Sequence, residues 1–529
     1  MNAGDPSPDG IAPASPEALR AVAAEYGLEC LLSVSDEVID PELVRHLPVE
    51  WARTNAMLPV RLPSGPCVLM AAPGDVARLD DVQLVVGCEL RPVLAPREAI
   101  LNGIERCYFR RRDTPGDFLK DIAAAPASAR GADTGDLLRV SRDAPVTQLV
   151  NLILLDAVKQ GASDIHVEPF ESRLRIRYRI DGVLYEQSSP PKHLEESLVS
   201  RLKVMARLDI AERRLPQDGM ARVSVGEREI DVRVSTVPVA EGERVVLRLL
   251  DQRSALLPLP ALGMPAKVLE GVGALLACPN GMVVVCGPTG SGKTTTLYAA
   301  LSNLDASRRN ILTIEDPIEY QLSNIGQIQV KPKIGLTFAA GLRHILRQDP
   351  DVILVGETRD LETAEVAVRA SLTGHLVFTT LHTNDAAGAV VRLLDMGVEP
   401  YLLASCLRGI LAQRLVRRLC PACRRPVEPE PEELRELGER AQQRLRGVTV
   451  YAASGCAQCL EGYRGRIGIF ELLALDAAMQ RMIRSGASAS DDLRAFCTRR
   501  DLRTLLDDGL DKVAEGATTL GEVLGVAAG

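Results

Sequence analysis

The sequence predicts a multi-domain α/β protein centred on a doubly wound parallel sheet, and three observations carry that expectation. Between residues 256 and 415, short apolar runs alternate with stretches of helical period. That is the pattern of strands buried on both faces with helices crossing over between them. A glycine-rich loop, Gly287-Pro288-Thr289-Gly290-Ser291-Gly292-Lys293-Thr294, stands between one such run and one such stretch. Acids and histidines then recur beside the ends of the later runs, and open parallel sheets bind their ligands past the strands' carboxyl ends.

The whole chain sets bounds on these readings. A length of 529 residues implies about three or four domains. Hydrophobic residues at 46% and charged residues at 25% are an ordinary globular composition. A net charge of −8 and 3% aromatics weigh against a nucleic-acid partner. The stretch Met1–Gly10 is acidic and Pro-rich, with no apolar core of a leader. No run approaches the roughly 18 apolar residues that a membrane helix requires. The expected location is therefore cytoplasmic, with any membrane association peripheral and made through partners. The 12 cysteines are scattered apart from two C-x-x-C pairs, which fits a reducing compartment.

Taken in order, residues 1–15 read as disordered and 16–108 as a small N-terminal α/β docking domain. Its elements are a helix over Glu17–Tyr26 and strand-like pieces at Cys67–Ala72, Val82–Val86 and Arg91–Leu94. Residues 109–142, rich in Ala, Pro and Gly without apolar period, read as a linker. An α+β domain spans 143–255. Val146, Leu149, Val150, Ile153 and Ala157 recur at helical spacing. Arg173–Ile180 alternates charged and apolar residues with period two, and Asp181-Gly182 turns the chain into a return strand. Its basic stripe reads as a solvated face.

The core, 256–415, begins its chemistry at the loop. Met282–Cys286 reads as a strand, and Thr295 onward as a helix. Strand, glycine turn and helix aim backbone N–H groups at phosphates. Lys293 would reach the β- and γ-phosphates of ATP, and Thr294 would take a place on Mg²⁺. Two later strands end in acids: Asn310–Ile314 leads to Glu315, and Asp351–Val355 leads through Gly356 to Glu357. Glu357 is read as the residue that positions or activates water, with Glu315 as a second catalytic candidate. His375 and His382 bracket the strand Leu376–Thr380 and are read as phosphate-sensing or bridging residues.

Residues 416–465 form a cysteine module, and 466–529 a helical C-terminal part. Chance predicts about 0.3 C-x-x-C pairs in such a chain. Two are present, Cys420/Cys423 and Cys456/Cys459, separated by 32 residues in which Glu432–Arg446 reads as helical. Four thiolates make a closed tetrahedral site suited to structural Zn²⁺. A redox pair is the alternative.

Four motifs in one order carry a family resemblance. They are Gly287–Thr294, Thr313-Ile-Glu-Asp-Pro-Ile-Glu319, Ile353-Leu-Val-Gly-Glu-Thr-Arg-Asp360 and Thr373–Asp385. Together they resemble the Walker A, Asp box, Walker B and His box of the secretion ATPase superfamily. The resemblance covers about residues 143–480, including Gly161–Pro169 and Pro216–Gly219. It implies a RecA-like core preceded by a PAS-like α+β domain. It also implies a homo-hexamer that hydrolyses ATP beneath inner-membrane platform proteins, docks through its N-terminal domain, and drives addition of pilin-like subunits. Arg233 and Arg248 match the family's phosphate-contacting arginines. Met220 departs from the pattern, standing where an arginine often follows, and Thr358 replaces a usual isoleucine. The N-terminal domain and tetracysteine module resemble assembly-type members, of type II secretion or of type IV pilus extension. A cyclic-dinucleotide signature found in some pilus relatives is not evident, which favours type II secretion. An ATP-gated scaffold and a nucleic-acid motor are the competing classes.

Overall fold

The computed structural model describes residues 16–35, 37–44, 47, 49–110, 115–116, 119, 145–225, 228–251, 257–429, 434–435, 437–485, 490–500 and 502–527. The expected disordered start and nearly all of the expected linker lie outside these residues. The helix Arg97–Arg110 runs past the residue where the linker was expected to begin. The chain divides into two compact units, 1–180 with 184–253 and 181–183 with 254–529.

The first unit holds two sheets. The N-terminal sheet orders its strands Glu29–Cys30, Arg91–Leu94, Gly65–Met70 and Met57–Leu62. Val82–Val86, expected as a strand, belongs instead to the helix Leu79–Val86. A short apolar run does not distinguish the two states. Here Asp80 and Asp81 complement the positive N-terminal end, and Gly87 closes the helix at φ 77°. The second sheet has six strands, ordered Val183–Ser188, Leu174–Ile180, Asp164–Pro169, Gly242–Asp251, Arg228–Val239 and Gln217–Val225. The expected helix is present at Pro145–Lys159. The period-two stretch buries every second residue, as the alternation required. Asp181 and Gly182 both turn at positive φ, the backbone of a two-residue hairpin turn. The basic stripe is not a freely solvated face. Arg175 and Arg177 are half-buried and donate to the buried Glu168 at 3.1 and 2.6 Å. The paired strand brings that carboxylate between them.

The second unit is built on a seven-stranded sheet. Its order is Gly326–Gln329, Ile311–Glu315, Val352–Val355, Leu376–Leu381, Gly281–Cys286, Leu407–Leu419 and Tyr463–Ala474. Every neighbouring pair is parallel except the last, which is antiparallel. The central strands are buried along their length. Helices cover the two faces, as hydrophobic strands of a parallel sheet demand. The strands Leu407–Leu419 and Tyr463–Ala474 cross the boundaries expected near 415 and 465, so one sheet joins the expected core, cysteine module and C-terminal part. In the cysteine module, Arg425–Val427 pairs with Val450–Ala452, and the helical excursion is described over Glu439–Leu445. Among the described residues, no helix is long and apolar enough to cross a membrane.

Candidate active site

The phosphate loop follows from local backbone geometry. The buried strand Gly281–Cys286 delivers the chain to the sheet's carboxyl edge, where Gly287 turns at φ 149°. Gly292 turns at φ 87° and starts the helix Lys293–Ser302. Side chains at either position would be strained, and a Cβ on Gly287 would lie 2.4 Å from the Gln413 carbonyl oxygen. Thr289 and Gly290 are exposed at the tip, Pro288, Thr294 and Thr295 are half-buried, and Ser291 is buried. The Lys293 ammonium, 9% exposed, donates to the carbonyls of Gly287 at 2.8 Å and Pro288 at 3.0 Å. Burial pulls its pKa below the usual lysine range, against the opposing charge of Glu357.

Glu357 and His382 meet because their strands are parallel neighbours, with Val355 beside Thr379. The pairing continues past the strand ends. The Thr358 amide donates to the Thr380 carbonyl at 3.0 Å, and the Thr380 hydroxyl to the Gly356 carbonyl at 2.6 Å. Glu357 is 9% exposed, with one oxygen 2.5 Å from Arg359 and the other 3.5 Å from His382 Nε2. The structure thus brings two of the expected site residues, Glu357 and His382, side by side.

His375 does not join them. It precedes the strand that His382 follows, so the six-residue strand Leu376–Leu381, about 20 Å long, separates the two. Its Nδ1 lies 2.9 Å from the Ala370 carbonyl, the contact of a residue that closes the preceding helix. Bracketing one strand puts two residues at opposite edges of a sheet.

Glu315 stands at the expected strand end but faces inward, 4% exposed. Its oxygens accept from the Tyr298 hydroxyl, from the Thr313 hydroxyl at 2.5 Å and from the Gln327 amide at 3.1 Å. Tyr298 belongs to the helix that begins at Lys293. Glu315, the second catalytic candidate, therefore ties that helix to its strand. Burial, followed by Glu315, raises the Tyr298 pKa and keeps the phenol protonated as a donor.

Two further carboxylates anchor the chain just after His382. Asp385 accepts from the Gly388 amide at 2.7 Å, capping the helix Ala386–Asp395, and pairs with Arg494 at 2.7 Å. Glu471 accepts from the amides of Ala386 at 3.1 Å and Leu505 at 3.2 Å, serving two helix N-termini at once. Burial pushes its pKa up. Sequence reasoning missed Glu471 and Tyr298. For Glu471, a charged residue inside the apolar run Ile469–Leu473 was the available signal.

In the first unit, Arg233 and Arg248 lie directly opposite each other on paired antiparallel strands. Arg248 Nε donates to Asp164 Oδ1 at 2.9 Å, across the next strand pair. Asp164 offsets the repulsion between two like charges placed face to face.

The four module cysteines converge. Their sulfurs all lie within 4.8 Å of one another. Cys420–Cys456 measures 3.9 Å, while Cys423–Cys459 and Cys456–Cys459 each measure 3.6 Å. Four sulfurs at the usual Zn–S length of about 2.3 Å form a tetrahedron with edges of about 3.8 Å. A disulfide would need about 2.05 Å. The donor set and its spacing fit Zn²⁺.

Residues 139–525 match the family model described as "Type II/IV secretion system protein", and residues 26–114 match the MshEN domain model. The chain is 54% identical over 392 residues to the type II secretion system ATPase E of Vibrio cholerae serotype O1, covering 74% of this chain and 77% of that protein. It is 48% identical to the type II secretion system protein E of Dickeya dadantii, covering 93% and 99%. It is 44% identical to the type IV pilus assembly ATPase PilB of Myxococcus xanthus, covering 95% and 89%. Among solved structures, the Legionella pneumophila ATPase DotB matches in fold, with a TM-score of 0.53 at 21% identity over 72% of this chain and 95% of that one.

Proposed function

The chain belongs to the type II/IV secretion system protein family, and from that premise we propose that it is the ATP-hydrolysing motor of a type II secretion system, powering pseudopilus assembly and protein export. The observation that carries this reading is the meeting of Lys293, Glu357 and His382 at the carboxyl edge of one parallel sheet.

In this mechanism the loop Gly287–Thr295 cradles the phosphates with backbone N–H groups and the positive end of its helix. Lys293 exchanges the carbonyls of Gly287 and Pro288 for phosphate oxygens, and its low exposure strengthens the attraction. Glu357, held between Arg359 and His382, orients the attacking water and takes its proton. His382, half exposed beside Glu357, would sense the γ-phosphate. By the family resemblance Arg233 and Arg248 would contact phosphate, Arg248 giving up its pairing with Asp164 to do so. Bound Mg²⁺ supplies charge neutralisation between phosphates. The Thr294 hydroxyl would hold it, and the oxygen donors at this edge are the hard ligands Mg²⁺ takes. Cys420, Cys423, Cys456 and Cys459 would hold a structural Zn²⁺ that closes the module. Four thiolate ligands would leave it no open position for catalysis.

The same reading assigns a homo-hexamer, with residues 16–108 docking on inner-membrane platform proteins and pilin-like subunits engaged indirectly. It places the protein in the cytoplasm, held at the membrane by those partners. No nucleic acid takes part. Type IV pilus assembly is the second reading. It draws on the 44% identity to a pilus assembly ATPase over 95% of this chain.

The test measures ATP turnover against protein concentration, with and without the cytoplasmic part of a secretion-platform protein or of its pilus counterpart. Turnover that rises with concentration and with the secretion partner supports the proposal. A response to the pilus partner alone supports the second reading. Flat turnover with both counts against a motor completed by assembly.

A further inference from the structure

The strand Leu407–Leu419 follows the four nucleotide motifs in the chain, yet it lies beside Gly281–Cys286, the strand that feeds the phosphate loop. At its centre Gln413 is 3% exposed. A buried primary amide is costly unless its groups are paired, and both ends of this one are used on the loop. Its Nε2 donates to the Ser291 carbonyl at 2.7 Å, and its Oε1 accepts from the Thr296 hydroxyl at 2.7 Å. The amide's orientation is decided by chemistry, since a backbone carbonyl can only accept. Gln413 thus joins the last turn of the loop to the first turn of the helix Lys293–Ser302.

We infer that Gln413 is a positioning residue for nucleotide binding, acting through the Ser291–Gly292 peptide. A trans peptide is planar, with its carbonyl and N–H pointing to opposite sides. Holding the Ser291 carbonyl against Gln413 turns the Gly292 N–H away from Gln413. That N–H is one of the donors a phosphate loop offers its anion. The close packing is part of the same arrangement, because a Cβ on Gly292 would lie 2.8 Å from Gln413 Nε2. Without the amide, the peptide is free to rotate, and the donor is no longer pre-aimed.

This inference rests on the nucleotide-binding reading above, and one experiment separates the two. A fluorescent ATP analogue is titrated into the full-length protein, its Gln413→Leu and Gln413→Glu variants, and a Thr296→Val variant. Thermal melting is recorded alongside. Gln413→Glu keeps shape and the Thr296 bond but sets a carboxylate oxygen against the Ser291 carbonyl. The expected result is a Kd about tenfold weaker for Gln413→Leu and weaker still for Gln413→Glu, since a net hydrogen bond accounts for about that factor. Thr296→Val, which leaves the Ser291 bond intact, changes Kd by less than about threefold. Should both Gln413 variants fail to fold, Gln413→Asn, whose amide is one methylene shorter toward the Ser291 carbonyl, is titrated instead; a weakened Kd in the folded protein supports the inference, and a Kd within twofold of the parent overturns it. A Kd within twofold of the parent in folded Gln413→Leu overturns the inference. An unsubstituted protein that binds no analogue overturns the nucleotide reading itself.

Discussion

Replacing Glu357 by glutamine separates catalysis from stability. The substitution keeps volume and one acceptor but removes the charge. Its structural partners are modest, because Arg359 is 69% exposed and His382 is 48% exposed. Ion pairs with such exposed partners contribute about 0–1 kcal/mol, which for a unit of this size shifts Tm by only about 2–4 °C. ATP binding draws on Lys293 and the loop's backbone, and Lys293 is held by hydrogen bonds to the Gly287 and Pro288 carbonyls. Loss of a positioned base, by contrast, costs about 10²–10⁴ in rate. Glu357→Gln should therefore bind a fluorescent ATP analogue within about threefold of the parent, melt within a few degrees, and lose at least about a hundredfold in kcat by phosphate release. A kcat within tenfold of the parent would remove Glu357 from the chemistry and return Glu315 to consideration.

Four other outcomes follow from the same geometry. Glu315→Gln should lower kcat less than Glu357→Gln does, while Tyr298→Phe, which removes a buried donor to Glu315, should cost about 1–3 kcal/mol in urea denaturation; equal stability of Tyr298→Phe and parent contradicts the bracing role. Elemental analysis should find about one Zn per chain, and Cys420→Ser should lose the metal and melt far lower, as closed four-thiolate sites contribute directly to folding; a fully active, metal-free Cys420→Ser protein counts against the zinc. Arg233→Ala should reduce kcat more than ATP affinity, and mixing it with Lys293→Ala protein should restore part of the turnover if the two residues act across subunits. Glu471 has a raised pKa in the fold, so its ionised form costs stability and that cost disappears as pH falls through the folded pKa. Chemical denaturation at pH 7 and pH 5 should then show the parent gaining on Glu471→Gln at the lower pH, and an unchanged difference refutes the assignment.

Features set within a few residues of chain were legible in the sequence. The phosphate loop depends on glycines at φ 149° and 87° and on a helix starting at Lys293. The hairpin at Asp181-Gly182 depends on two positive φ angles, and the strand before it on period-two alternation. Each C-x-x-C pair is a local knuckle. The motifs located Glu357 and His382 because each follows within two residues of the end of a buried strand.

What the tertiary structure decided is everything that depends on which strands are neighbours. Periodicity says that Leu376–Leu381 is a strand but not which of its ends carries the chemistry, and so His375 and His382 parted. It says that Glu315 ends a strand, but not that Tyr298 and Gln327 fill the space beside its carboxylate. Leu407–Leu419 enters the sheet beside the phosphate loop only through long-range pairing, which places Gln413 on Ser291. Arg248 found Asp164 in the same way, 84 residues away in the chain. A local pattern records which face of a strand is buried, because burial acts on each residue separately. Strand order is a property of the whole sheet, chosen by the total of its non-local contacts, and no short window of sequence contains it.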